Sequence, residues 1–123
     1  MNKVTCIAAI TLALLFSTGV LAQQPRISPF QAGQNAWHES ETPTGLSCAA
    51  CHFEGYDIVS RGSFPRENRL VGEHMTLLES IELCMMEHQH IQQPGNEEMY
   101  ALFQHLSILQ ENYELNLQLR RGQ

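Results

Sequence analysis

The run Gly45-Leu-Ser-Cys48-Ala-Ala-Cys51-His52-Phe-Glu-Gly55 constrains this chain more than any other stretch of its 123 residues. Two cysteines stand three apart and a histidine follows directly. The triplet has three readings: an anchor for a covalent haem, half of a zinc site, or a redox dithiol. Two thiols at this spacing can reach the two vinyl groups on one edge of a porphyrin. The adjacent histidine then turns under the ring and binds iron. A zinc site needs a second ligand pair, which Cys84 and His88 would have to supply. A thioredoxin-like dithiol needs a preceding strand in a βαβ unit, and no such pattern is present. The residues favour one covalent haem c, held through Cys48 and Cys51, with His52 as the proximal iron ligand.

Residues 1–22 read as a cleaved export leader. Lys3 gives a short positive start, the following apolar run ends in small residues, and the cut is expected after Ala22. Thr5, Thr11, Ser17, Thr18 and Gly19 interrupt the run, and no stop-transfer cluster follows, which argues against a membrane anchor. Cys6 lies early in the run and leaves with the leader. The mature part, 23–123, is expected to be one small periplasmic domain with no integral membrane segment. It keeps Cys48, Cys51 and Cys84. If the first two are spent on haem, Cys84 is alone in an oxidising compartment. It is then a buried inert thiol, half of a bond between chains, or a ligand. The chain has 7 Lys and Arg against 13 Asp and Glu, a net charge of −6. Loss of Lys3 makes it more negative still. Nucleic acid and anionic membranes are poor partners for such a surface; a redox partner protein is the expected one.

The pattern along the mature chain is all-α, a small cytochrome c-like helical domain wrapped around its haem. Ser28-Pro29 opens a helix over about 29–39 that carries Phe30, Gly33 and Trp37. The haem motif sits in a turn or short helix. Residues 53–68 have no clean period and read as an irregular loop around the site. A helix is expected from Glu73 to about Gln92, with Leu70, Ile81, Leu77, Cys84 and His88 on one stripe and Leu78 and Met85 on its flank. Glu79, Glu82, Met86 and His90 face water. Asn96 is the expected N-cap of a last helix that turns Met99, Leu102, Phe103, Leu106 and Leu109 inward. Tyr100 and Phe103 are expected packing partners, and the end of the chain is expected to fray.

Haem iron takes a second axial ligand, which sets the potential. Helical phase leaves Cys84, Met85 and His88 on or beside the apolar stripe. Methionine is the usual ligand in small monohaem carriers. Cys84 gains from being otherwise unpaired. A coordinating metal would ionise its thiol, and the thiolate would favour ferric iron. Arg66 and Arg69 read as solvated loop residues; binding an anionic substrate is the other role open to them.

Several pieces in order resemble the haem domains of SoxA, the cysteine-ligated cytochrome subunit of the thiosulfate-oxidising SoxAX complex. They are Gly33-Gln-Asn-Ala-Trp37, Cys48-Ala-Ala-Cys51-His52, Ser63-Phe-Pro-Arg66, Leu77-Leu-Glu-Ser80 leading to Cys84-Met85, and the acidic start of the last helix. They span residues 33 to about 109. In that family a cysteine after such a helix is the distal ligand, so the resemblance implies His52 and Cys84 on the iron; Met85 stays the alternative distal ligand from its place beside the apolar stripe. It implies one-electron transfer in sulfur-compound oxidation, with another cytochrome or a Sox-type subunit as partner. The family's catalytic domain uses its ligand cysteine as a persulfide carrier. This chain has room for one domain and is more similar to the electron-transfer one. Two other functions stay open: a sulfur dehydrogenase subunit in which Cys84 is catalytic, and a haem-based binder of small ligands.

Overall fold

The computed structural model describes residues 26–123. The expected leader, 1–22, and its cleavage point lie outside the described residues. Among the described residues no helix is long and apolar enough to cross a membrane.

The first helix, α1, is Pro29–His38. The Ser28 hydroxyl accepts from the Gln31 N–H at 3.1 Å, and Pro29 occupies the first turn, where its missing N–H costs nothing. The last helix, α5, is Asn96–Arg121. Its N-cap is Gly95 rather than the expected Asn96, which is already helical. Glu97 and Glu98 in its first turn and Arg120 and Arg121 in its last both complement the helix dipole. The helix continues to Arg121, where fraying was expected.

The two helices cross at Gly33. A Cβ at Gly33 would lie inside the van der Waals contact of Ala101 O and His105 Cβ. Only the absent side chain lets the backbones come this close. The core beside the crossing is Trp37, Val59, Leu77, Ile81, Met85, Leu102, Leu106 and Leu109. Leu102, Leu106 and Leu109 are the inward residues expected of α5, with Met99 and Phe103 partly buried beside them. Tyr100 is exposed; its ring meets Phe103 at 6.0 Å on the surface instead of entering the core.

Between these helices lie α2 (Cys48–Cys51), a 3-10 turn (Phe53–Gly55), α3 (Tyr56–Val59), two short strands and α4 (Leu77–His88). The strands add one short hairpin to a domain that is otherwise helical, as expected. β1 (Arg66–Asn68) and β2 (Glu73–Met75) pair antiparallel, with Glu67 opposite His74. The Asn68 side chain accepts from Leu70 N–H at 2.9 Å, and Gly72 N–H reaches Asn68 O at 2.7 Å, closing the hairpin. Helix α4 therefore starts four residues later than expected. Thr76 caps it: Thr76 Oγ1 accepts from Glu79 N–H, and the Glu79 carboxylate accepts from Thr76 N–H at 2.7 Å. This capping box is a Thr-x-x-Glu signal. The hairpin also moves Leu70 off the helical stripe. It sits at the turn, 61% exposed.

Candidate functional site

The site is built on the one-turn helix α2. Ser47 Oγ accepts from Ala50 N–H at 3.2 Å, and His52 N–H donates to Cys48 O at 2.9 Å. Residues three apart share a helix face, so this single turn sets Cys48 and Cys51 as a pair and ends on His52. Past His52 the chain reverses through two left-handed residues, Glu54 at φ 52° and Gly55 at φ 75°. The first is strained for a residue with a side chain. Gly55 is tightly enclosed as well: a Cβ there would come within 2.9 Å of Leu106 Cδ2.

This reversal lays α3 back against His52. Asp57 Oδ2 accepts from His52 Nδ1–H at 2.8 Å. The same oxygen lies 3.8 Å from Arg61 Nη2. Asp57 Oδ1 is buried without a hydrogen-bond partner. The Trp37 ring lies 6.3 Å from the His52 ring, tilted by 46°.

A cavity of about 610 Å³ opens in front of these groups. Small-molecule and cofactor sites span about 300–1,000 Å³. Its walls are apolar and include Trp37, Leu77, Ile81, Leu102 and Leu106, while Arg61, Arg66 and Arg69 stand along it as well. Cys48, His52, Cys84, Met85 and His88 all line it. The structure thus brings together residues separated by more than thirty positions in sequence. Cys51 is exposed and does not line the cavity. The three cysteines are unpaired.

The thiols lie near enough to feel one another. Burial, then the charges of Cys84 and Glu98, push Cys48 up to about 12. Burial, then Cys51, raises Cys84. Both thiols are uncharged without a cation. A bound metal ion reverses that preference, because its charge favours the thiolate. The donor set, two thiols on one helical turn, an imidazole beside them and a further sulfur across the sequence, fits a haem c in an apolar cavity.

Residues 32–110 match the model of the SoxA/TsdA cytochrome c domain. The chain belongs to this family. No curated protein and no solved structure matches it significantly. The SoxA/TsdA span holds all four expected site residues and stops inside α5, so the last turns of that helix lie beyond it.

Two rival readings of the motif gain no support within this SoxA/TsdA domain. Among the described residues no three His, Cys, Asp or Glu side chains gather as a metal cage requires. No strand precedes α2 among the described residues, as a thioredoxin-like dithiol would need. Arg66 is not free to serve as an anion ligand. Its Nη1 donates to Ile58 O at 2.8 Å and to Gly62 O at 2.7 Å, and its guanidinium sits 4.0 Å above the Phe64 ring. It staples the loop that leads to β1. Arg69 is exposed on the same cavity. His88 was expected on the buried stripe; it lines the cavity from an exposed position at the end of α4.

Sequence reasoning missed two residues. Asp57 gave no signal, because its meeting with His52 depends on the left-handed turn between them. His105 was passed over as an ordinary helical residue. It is 2% exposed, with its ring 5.5 Å from Trp37 and 5.2 Å from Phe30, and neither ring nitrogen has a partner.

Proposed function

We propose that this chain is an exported monohaem c-type cytochrome that carries single electrons in the oxidation of sulfur compounds, thiosulfate among them. One observation carries the reading: Cys48, His52 and Cys84 line one apolar cavity in a SoxA/TsdA cytochrome c domain. Cys48 and Cys51 tether the haem by thioethers, and His52 meets the iron through Nε2, since Nδ1 is engaged by Asp57. Cys84 is the distal ligand. Met85 also lines the cavity, but it is 1% exposed and already packed in the core, whereas Cys84 is only partly buried. The iron supplies the one-electron couple when bound. Trp37, Leu102 and Leu106 keep water from it. The leader at 1–22 directs the protein to the periplasm, where a second cytochrome or a Sox-type subunit exchanges electrons with it.

The test is expression in a cell competent in cytochrome maturation. The mature chain should gain the mass of one haem and give the haemochrome spectrum of two thioether links. Electron paramagnetic resonance of the oxidised protein should show a low-spin thiolate signal that Cys84→Ala abolishes. An unchanged signal would remove Cys84 as ligand and make Met85 the next candidate. Absence of haem would overturn the reading.

A second reading is a sulfur dehydrogenase subunit in which Cys84 would hold the sulfur substrate and the two electrons of its oxidation would pass one at a time through the haem to an external acceptor. Arg61 and Arg69 on the same cavity as Cys84 favour it, as cations suited to an anionic sulfur compound. Turnover of thiosulfate with an electron acceptor, lost in Cys84→Ala, would establish it.

A further inference from the structure

We propose that Asp57 is a positioning residue for His52, and that its carboxylate lowers the potential of the bound haem. The inference rests on the reading of His52 as the iron ligand. Its geometric basis is the Asp57 Oδ2 to His52 Nδ1 distance of 2.8 Å. A ring nitrogen that donates to a carboxylate fixes the tautomer, so the lone pair stays on Nε2. The acceptor also makes the ligand more basic, and an anionic acceptor does so more strongly than a neutral carbonyl.

Asp57 is itself held for this task. It lies in α3, whose direction is set by the left-handed pair Glu54 and Gly55, and Gly55 is locked against Leu106 and Leu109. Arg61 stands 3.8 Å from the same oxygen that faces His52. At that distance, and half exposed, it offsets the carboxylate only in part. Asp57 Oδ1 is buried and accepts no hydrogen bond. The Asp57 side chain is 39% exposed, so water screens part of its charge and the remainder acts through His52. A negative charge one imidazole away favours the more positive, oxidised iron, which is a lower potential.

The experiment is a redox titration of the holo-protein beside Asp57→Asn. The amide oxygen can still accept from Nδ1–H, so the ring stays oriented while the charge is lost. The expected result is a potential higher by about 59 mV or more, a tenfold change in relative stabilisation for one electron. The low-spin spectrum is retained. An unchanged or lower potential with that spectrum intact overturns the inference and leaves the proposed function standing. A holo-protein that keeps its axial signal in His52→Ala overturns both.

A second measurement starts from the unmodified holo-protein. In the oxidised state the Nδ1 proton of His52 should give a hyperfine-shifted nuclear magnetic resonance line that exchanges slowly with water. A hydrogen bond from Nδ1 to any acceptor would slow it, so the line must also move in Asp57→Asn or, if that chain fails to mature, in Asp57→Glu. Rapid exchange, or a line that does not move, overturns the assignment.

Discussion

Where α1 crosses α5, Gly33 brings two backbones into contact and Trp37, Leu102 and Leu106 fill the space beside them. Where α4 and the hairpin face Cys48 and His52, the same core opens into a cavity of about 610 Å³. The first region is closed by backbone against backbone at Gly33. The second is lined by Leu77, Ile81 and Met85 of α4, which are buried in the same core, and by Trp37, Leu102 and Leu106 facing them. Small domains have little stability to spare, so the Gly33 crossing, closed by the chain itself, should tolerate loss of a haem better than α4 should.

The largest break in that comparison should come from Cys48→Ala and Cys51→Ala together, which would remove both proposed haem tethers. Hydrogen exchange should show protection lost through α4, β1 and β2 while more of it persists where α1 meets α5. Uniform loss would mean that both halves depend on the group.

Gly33→Ala attacks the other half. The added Cβ meets backbone at Ala101, which cannot swing aside. Thermal unfolding of the holo-protein should show a loss of about 1–3 kcal/mol.

Smaller again is Thr76→Ala, which removes the α4 cap and should cost about 1 kcal/mol. Glu79 belongs to this box. Its carboxyl is held below the ordinary value of 4.5 by the Thr76 hydroxyl and then the Thr76 backbone. The unfolded chain binds that proton more readily. The stability from Glu79 is therefore present above pH 4.5 and lost as pH falls through the folded value. Acid titration of unfolding should show this component vanish in Thr76→Ala.

The smallest effect sharpens the account of the crossing. Burial depresses His105 below 6.5, against a raising influence from Glu54 and with a further lowering one from His38. The unfolded chain takes up this proton first, so stability should decline as pH falls below 6.5 towards the folded value. His105→Leu should flatten that decline in melting curves taken across this range. It should cost little stability at neutral pH, because it leaves no buried polar atom unpaired.

Much of the site was legible because its parts are local or periodic. Cys48, Cys51 and His52 need only one helical turn to stand together, and that turn is capped by its own Ser47. Leu77, Ile81 and Cys84 share a stripe by helical phase alone, and the cavity confirms that all three face it. The α1 start at Ser28-Pro29 is likewise a local signal. The hairpin was hidden because three-residue strands carry almost no period, and the helix then seemed to begin at Glu73 instead of after the Thr76 cap.

The amino-acid order by itself determined the haem motif, the amphipathic face of α4, the inward face of α5 and the family. The first three depend on spacing within a few turns, and the family on a resemblance that runs from residue 33 to about 109. Only the tertiary structure decided that Asp57 meets His52, that Arg66 is spent on carbonyls of its own loop, and that His105 is sealed beside Trp37. Those outcomes turn on the backbone reversals at Glu54, Gly55 and Gly62 and on the close approach at Gly33. A side chain's partner across a reversal or a helix crossing is set by where the backbone goes, and neighbours along the chain do not encode that direction.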